Sequence, residues 1–191
     1  ETLKTNLVDF KVPQKPGDSD DFLIKADKNP NTAGAAAILG NGAVDAQAIV
    51  NKAIQGEIDV LYVFGHNLVA LFGKETVAQV AKRVKLMIFQ GSNINETSSY
   101  AHLNLPSAVY AEKEGTFTNC KQRVQRIRAA FSALGEAKAD WEILSLIGAS
   151  VGAPLNYASA EDIFKDIAHN VPSFGGMSYD TIADQGMILK S

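Results

Sequence analysis

Ile58-Asp59-Val60-Leu61-Tyr62-Val63-Phe64-Gly65-His66-Asn67, resumed at Leu86-Met87-Ile88-Phe89-Gln90-Gly91-Ser92-Asn93, is the stretch that decides the fold. Each part opens on a short apolar run that stops near a glycine, too short for a helix, and each reads as a buried strand. Between them, from Glu75, the residues Val77, Val80, Ala81 and Val84 recur at helical spacing. Lys82, Arg83 and Lys85 then suit the negative pole of the helix dipole. Strand, helix and strand make a βαβ unit, which requires parallel strands and a right-handed crossover. Ligands of such sheets bind beyond the carboxyl ends of the strands. Those ends are Gly65-His66-Asn67-Leu68 and Gln90-Gly91-Ser92-Asn93, two polar loops on one rim.

Upstream, Asp45 caps a helix over 45–55 whose apolar stripe is Ala46, Ile49, Val50, Ala53 and Ile54, with Gly56 placed to end it. The alternation of helix and strand predicts an α/β fold, an open and mostly parallel sheet with helices on both faces, Rossmann-like, followed by a helical last third. Residues 1–21, with Pro13, Pro16 and Gly17-Asp18-Ser19-Asp20-Asp21, read as a connecting arm, and 22–191 as one α/β domain. Phe22-Leu23-Ile24-Lys25 is a candidate short strand, and Asn29-Pro30-Asn31-Thr32 a turn able to cap Ala33–Leu39. Gly40-Asn41-Gly42 lacks the third glycine of a dinucleotide fingerprint and reads as a plain turn.

Downstream, Asn95-Glu96-Thr97 begins a short polar helix or turn, and His102-Leu103-Asn104-Leu105-Pro106 a third strand that would bring Ser107 to the rim. Gly115–Asn119 and Arg123–Arg128, joined by Cys120-Lys121-Gln122, suggest a hairpin-like excursion. Its arginines, Arg123, Arg126 and Arg128, fit either a phosphate contact or, the favoured reading, solvated groups and ion pairs with Glu112 and Glu114. Asp140 can cap the segment from Trp141 to Ile147, and Ser159-Ala160-Glu161-Asp162 resembles a capping box before Ile163, Phe164, Ile167 and Val171. Gly148-Ala149-Ser150-Val151-Gly152 matches the nucleophile-elbow pattern, but its serine falls at the end of a helix and not on a strand-to-helix turn.

Composition narrows the function. The chain has 191 residues, 46% hydrophobic and 20% charged, enough apolar content for a full core, and its net charge of -3 gives no reason to expect nucleic acid as a partner. No apolar run approaches the roughly 18 to 20 residues that span a bilayer, so membrane association is expected only through partners. A first residue Glu1 suggests a processed chain or a piece of a longer one. The single cysteine, Cys120, cannot by itself hold an iron-sulfur cluster or close a disulfide, and fits a reducing cytosol. His66, His102 and His169 lack companions at metal-motif spacing, so no metal is expected, and Gly73-Lys74-Glu75 is not a Walker loop.

Tyr110-Ala111-Glu112-Lys113-Glu114-Gly115-Thr116-Phe117-Thr118-Asn119, followed by Arg123-Val124-Gln125 and Gly135-Glu136-Ala137-Lys138-Ala139-Asp140-Trp141, resembles the molybdopterin oxidoreductase family. The order of Leu61–Gly65, Phe89-Gln90, Leu105-Pro106 and Pro172–Gly176 agrees, and the likeness covers roughly Phe22 to Gly186. Within the family, Ala26-Asp27-Lys28-Asn29-Pro30-Asn31 looks most like the large iron-sulfur subunit of bacterial NADH-quinone oxidoreductase, complex I.

That resemblance implies specific sites and partners. In catalytic relatives such as formate dehydrogenase the similar domain holds part of a bis-molybdopterin guanine dinucleotide. The family positions for it would be Gly65, His66, Asn67, Gln90, Gly91 and His102. Three acidic residues usual at these loops are replaced, by His66, Gly91 and His102, and carboxylates suit the hydrogen-bond donors of guanine and ribose. The expectation is therefore a vestigial site with no cofactor, and a non-catalytic scaffold packed against the iron-sulfur part of its chain and other subunits of a respiratory complex. Such a scaffold would be cytoplasmic and peripheral to the inner membrane, supporting electron transfer from NADH to quinone through clusters elsewhere. The alternative is the dinucleotide-binding domain of an active molybdenum or tungsten oxidoreductase.

Overall fold

The computed structural model describes residues 31–40 and 45–190. The expected arm, the Phe22–Lys25 strand and the Gly40-Asn41-Gly42 turn lie wholly or partly outside them. Where the sequence reads as one domain over 22–191, the chain resolves into two compact units, each discontinuous in sequence: 45–113 with 129–155, and 31–40 with 114–128 and 156–190.

In the second unit, helix α1 spans Thr32–Leu39, and the expected Asn29–Thr32 turn lies partly outside the described residues. Asn31 does not cap it with its side chain; Asn31 Oδ1 instead accepts from the Thr118 amide at 2.8 Å. In the first unit, α2 (Ala46–Gln55) begins as expected, with the Asp45 carboxylate accepting from Gln47 N–H at 3.0 Å and Gly56 closing it at φ 79°. Glycine is favoured there because the left-handed backbone would crowd a Cβ. Strand β1 (Val60–Phe64) follows.

The crossover to β2 (Leu86–Gly91) holds two helices, not the one that periodicity suggests: α3 (Leu68–Phe72) and α4 (Lys74–Arg83). Gly73, at φ 83°, is the break between them. The loop read as polar therefore turns helical at Leu68, because Leu68 and Val69 are drawn into the core. A 3-10 turn (Glu96–Tyr100) leads to β3 (Leu103–Pro106). The order is β1-β2-β3, all parallel, with Phe64 opposite Gln90 and Gly91 opposite Pro106. This is the α/β class with a parallel sheet that the sequence predicts.

The middle strand is buried on both faces: Met87, Ile88, Phe89 and Gln90 all lie inside. A central parallel strand has no solvent side, which is why its apolar run is continuous and not alternating. Val77 and Val80 of α4, with Val50 and Ala53 of α2, complete this core. After a 3-10 turn (Tyr110–Glu112), the expected hairpin forms as β4 (Gly115–Thr118) and β5 (Arg123–Ile127), antiparallel, in the second unit. Helix α5 (Asp140–Ser150) belongs to the first unit and α6 (Ala160–Asn170) to the second, where the Ser159 hydroxyl caps α6 through Asp162 N–H at 3.1 Å.

Two short pieces were not legible: α7 (Tyr179–Ile182) and β6 (Met187–Ile188), which pairs antiparallel with β5. The arginines of the hairpin are all engaged within this unit. Arg126 faces Glu114 at 3.8 Å and stacks over the Tyr179 ring at 4.2 Å, Arg128 pairs with Asp184 at 2.9 Å, and Arg123 donates to the carbonyls of Gln185 and Gly186. Arg126 and Glu114 are thus the one expected pair that forms. Glu112, the other expected partner, instead accepts from the amides of Val109 and Leu134.

Met87 has no exposed surface, so Met87→Ala leaves a cavity beneath the sheet. The expected loss is about 2–5 kcal/mol of unfolding free energy, read as a lower urea midpoint with an unchanged slope.

Candidate functional site

The carboxyl ends of the three strands are tied together by backbone bonds. Gly65 N–H donates to Gln90 O at 2.6 Å, and Ser107 N–H to Gly91 O at 3.1 Å. The expected rim is therefore real, and Ser107 reaches it, though buried and bridged to Lys138. Of the six expected site residues, five stand at these ends in different roles, and His102 does not.

Gly65 makes the turn out of β1 at φ 63°, and His66 is partly exposed, with no side-chain partner among the described residues. Asn67 is a helix cap: its Oδ1 accepts from Ala70 N–H at 3.1 Å and from the Thr97 hydroxyl at 3.0 Å. Its amide nitrogen donates to the Glu96 carboxylate at 2.6 Å. Gly91 is the fourth. A Cβ built there would lie 2.9 Å from the Phe89 ring, which folds over the bare backbone. An aspartate at this position would have to displace that ring.

Gln90 and His102 are not available. Gln90 is fully buried; its Oε1 accepts from the Tyr62 hydroxyl and its amide donates to Asp140 Oδ1 at 2.8 Å. Asp140 also pairs with Lys113, so Tyr62, Gln90, Asp140 and Lys113 form one chain of hydrogen bonds. This corrects the reading of Asp140 as a helix cap: Ala139 holds that position, its amide donating to Glu142 at 2.9 Å. His102 is corrected too. It precedes β3, and its Nδ1 accepts from the Met87 amide at 2.8 Å, at the amino end of β2. In a parallel pair the residue before a strand lies at the end opposite its rim.

Glu96 stands beside the first loop at a place that sequence reasoning missed. Asn95 caps the Glu96–Tyr100 turn through Thr97 and Ser98 N–H, and this places Glu96 beside Asn67. Its own backbone N–H, then the Asn67 amide and the charge of Lys74, hold its carboxyl below the usual carboxylate range. The Asn-Glu-Thr pattern did signal a turn, but nothing in sequence spacing tied it to the first loop.

Beside the turn lies a cavity of about 480 Å³, lined by Phe89, by 91–94, by Ser98 and Ser99, and by 104–106. That size is within the range of small-molecule sites. No lining side chain is basic. Among the described residues, no group of three His, Cys, Asp or Glu is placed to hold a metal, and no helix is long and apolar enough to cross a membrane. Ser150, the elbow serine, donates to Leu146 O inside α5 and faces no base among the described residues.

Residues 7–149 match the family model for molybdopterin oxidoreductase. Two curated relatives are alpha subunits of F420-dependent formate dehydrogenases of Methanococcus maripaludis. Number 2 is 36% identical and number 1 is 34% identical, each over 69% of this chain and 20% of its own length. The chain thus spans about one fifth of these relatives. Among solved structures, acetylene hydratase from Pelobacter acetylenicus aligns with a TM-score of 0.62 and 13% identity, over 80% of this chain and 22% of the other. That likeness concerns the fold alone. The expected kinship with the large subunit of NADH-quinone oxidoreductase gains no support from the relatives above, which are formate dehydrogenases.

Burial, and then the charge of Asp140, push the Tyr62 hydroxyl above its ordinary value of 10.0. A raised pKa means that the fold holds this proton more tightly than the unfolded chain does. Its contribution is complete below pH 10 and lost as pH climbs through the raised value. The stability advantage of the wild type over Tyr62→Phe should therefore shrink in denaturant melts taken above that pH. Gln90→Ala, which takes the acceptor from the Tyr62 hydroxyl and the donor from Asp140 Oδ1, should cost about 1–3 kcal/mol at neutral pH.

Proposed function

Since the chain belongs to the molybdopterin oxidoreductase family, we propose that it forms the part of a formate-dehydrogenase-like molybdenum or tungsten enzyme that holds the nucleotide end of a molybdopterin guanine dinucleotide. The observation that carries this reading is the cavity at the carboxyl ends of β2 and β3, where ligands of open parallel sheets bind. Relatives named formate dehydrogenases support the reaction class.

The residues present fit such a group. Gly91 leaves its backbone without a side chain, and the Phe89 ring, Leu105 and Pro106 give the cavity apolar walls for a flat heterocycle. Ser92, Asn93 and Asn104 supply polar groups around it. When bound, the cofactor supplies two-electron chemistry at its metal. The task of this chain is to bind and orient: Asn67 and Thr97 fix the first loop to the Glu96–Tyr100 turn, so the wall of the cavity is set before any ligand arrives.

A second reading, a non-catalytic scaffold in the large subunit of NADH-quinone oxidoreductase, is favoured by one observation: Gln90 and His102 are both committed inside the protein. It would place the chain among the subunits of a respiratory complex, peripheral to the inner membrane. The two differ in composition. Protein of full natural length, purified from its source, should carry stoichiometric pterin, seen by fluorescence after oxidative release, with molybdenum or tungsten by mass spectrometry. Absence of both would overturn the cofactor reading in favour of the scaffold.

A further inference from the structure

Helix α5 is apolar on more sides than the fold buries. From Ile143 to Ala160 no residue is charged, in a chain where 20% of residues are. Ile143 is the one buried side chain of the helix. Leu144, Gly148 and Val151 follow at i, i+4 and i+7, which places them on a single helical stripe. Leu155 extends it: its Cγ would lie 3.6 Å from a Cβ built on Gly148, beside the returning Ala153 carbonyl. Leu144 is 41% exposed, Val151 49% and Leu155 46%, so a large part of each side chain faces water. A surface helix ordinarily turns charged and polar residues outward. Apolar side chains exposed together without charge among them mark the core of an interface.

We infer that the stripe of Leu144, Gly148, Val151 and Leu155 seats an apolar, uncharged segment of the same polypeptide that lies outside residues 1–191. The inference rests on the proposed function only in taking these residues as part of a longer chain; they span 20% of the formate dehydrogenase alpha subunits they resemble. The size of the stripe selects its occupant. A helix of 11 residues is about 16 Å long and about 10 Å across. Such a footprint falls well below the roughly 800 Å² per partner of a standard interface between separate proteins. A second copy or another subunit would have to offset its lost translational and rotational freedom from that strip alone. A segment joined to the same chain is held at a high effective concentration, so a few half-buried apolar side chains suffice. The lack of charge fits the same occupant, since the stripe offers none of the electrostatic steering by which separate partners find each other.

The test uses protein of full natural length with photoreactive p-benzoylphenylalanine placed by codon suppression at Leu144 in one variant and at Val151 in another. A control carries it at Lys82, exposed at the charged end of α4. Matching melting curves verify the fold, and the second position serves where the bulky group is not tolerated at the first. After irradiation, mass spectrometry should map the captured peptides to residues of the same polypeptide outside 1–191, with the product at monomer mass in denaturing gels, and the Lys82 control should lose that capture. Capture of a second copy or of another protein, capture confined to residues 1–191, or no capture of protein from either position overturns the inference. The same peptides captured from Lys82 overturn it as well. Pterin and metal measured on the same preparation keep the proposed function separate. Protein that bears pterin but shows no such capture leaves the function standing, whereas capture in protein that lacks pterin and metal overturns the function and leaves the inference.

Discussion

A line of four polar side chains, Tyr62, Gln90, Asp140 and Lys113, holds the first unit to its shape. It begins on β1, crosses β2, reaches the first turn of α5 and ends beside the 110–112 turn. Gln90 has no solvent exposure, so its amide must be satisfied from within, and a primary amide both donates and accepts. Tyr62 supplies the donor and Asp140 the acceptor. Lys113 then neutralises Asp140, and both charges keep about a fifth of their side-chain surface in water, which moderates the desolvation that a fully buried pair would suffer.

This arrangement decides what the rim can do. The end of the central strand is where an open parallel sheet meets its ligand, yet here the glutamine at that end serves the interior. The surface left to a ligand is Gly91, over which the Phe89 ring is folded, and the turn that follows. The second loop therefore contributes shape through Gly91 and polarity through Ser92 and Asn93, and the Glu96–Tyr100 turn adds Ser98 and Ser99. That turn is rigid because its parts cap one another: Asn95 caps it, Thr97 accepts from Val69 N–H at 3.1 Å, and Asn67 joins it to α3.

The hairpin unit follows a different logic. Its arginines close the unit, through Glu114, Asp184, the Tyr179 ring and the carbonyls before β6. A run of arginines on a strand looks the same in sequence whether it meets phosphate or its own chain. Only the returning segment 184–188, far along the sequence, distinguishes the two.

What the sequence alone determined is local and periodic. The two apolar runs, the valines of α4, the Asp45 and Ser159 caps and the Gly56 stop were readable because each depends on neighbours a few residues away. The family was readable because its signature around Glu112–Gln125 is contiguous. The tertiary structure alone decided which polar residues reach the rim. His102 was assigned to the rim by its place before Leu105-Pro106, and register put it at the far end of the sheet. Glu96 was read as part of a turn, and a contact with a residue 29 positions earlier brought it to the rim. The reason is physical: strand and helix propensities are fixed by short-range sterics and hydrogen bonding, whereas the partner of a polar side chain depends on how whole elements pack, and packing is set by contacts distant in the chain.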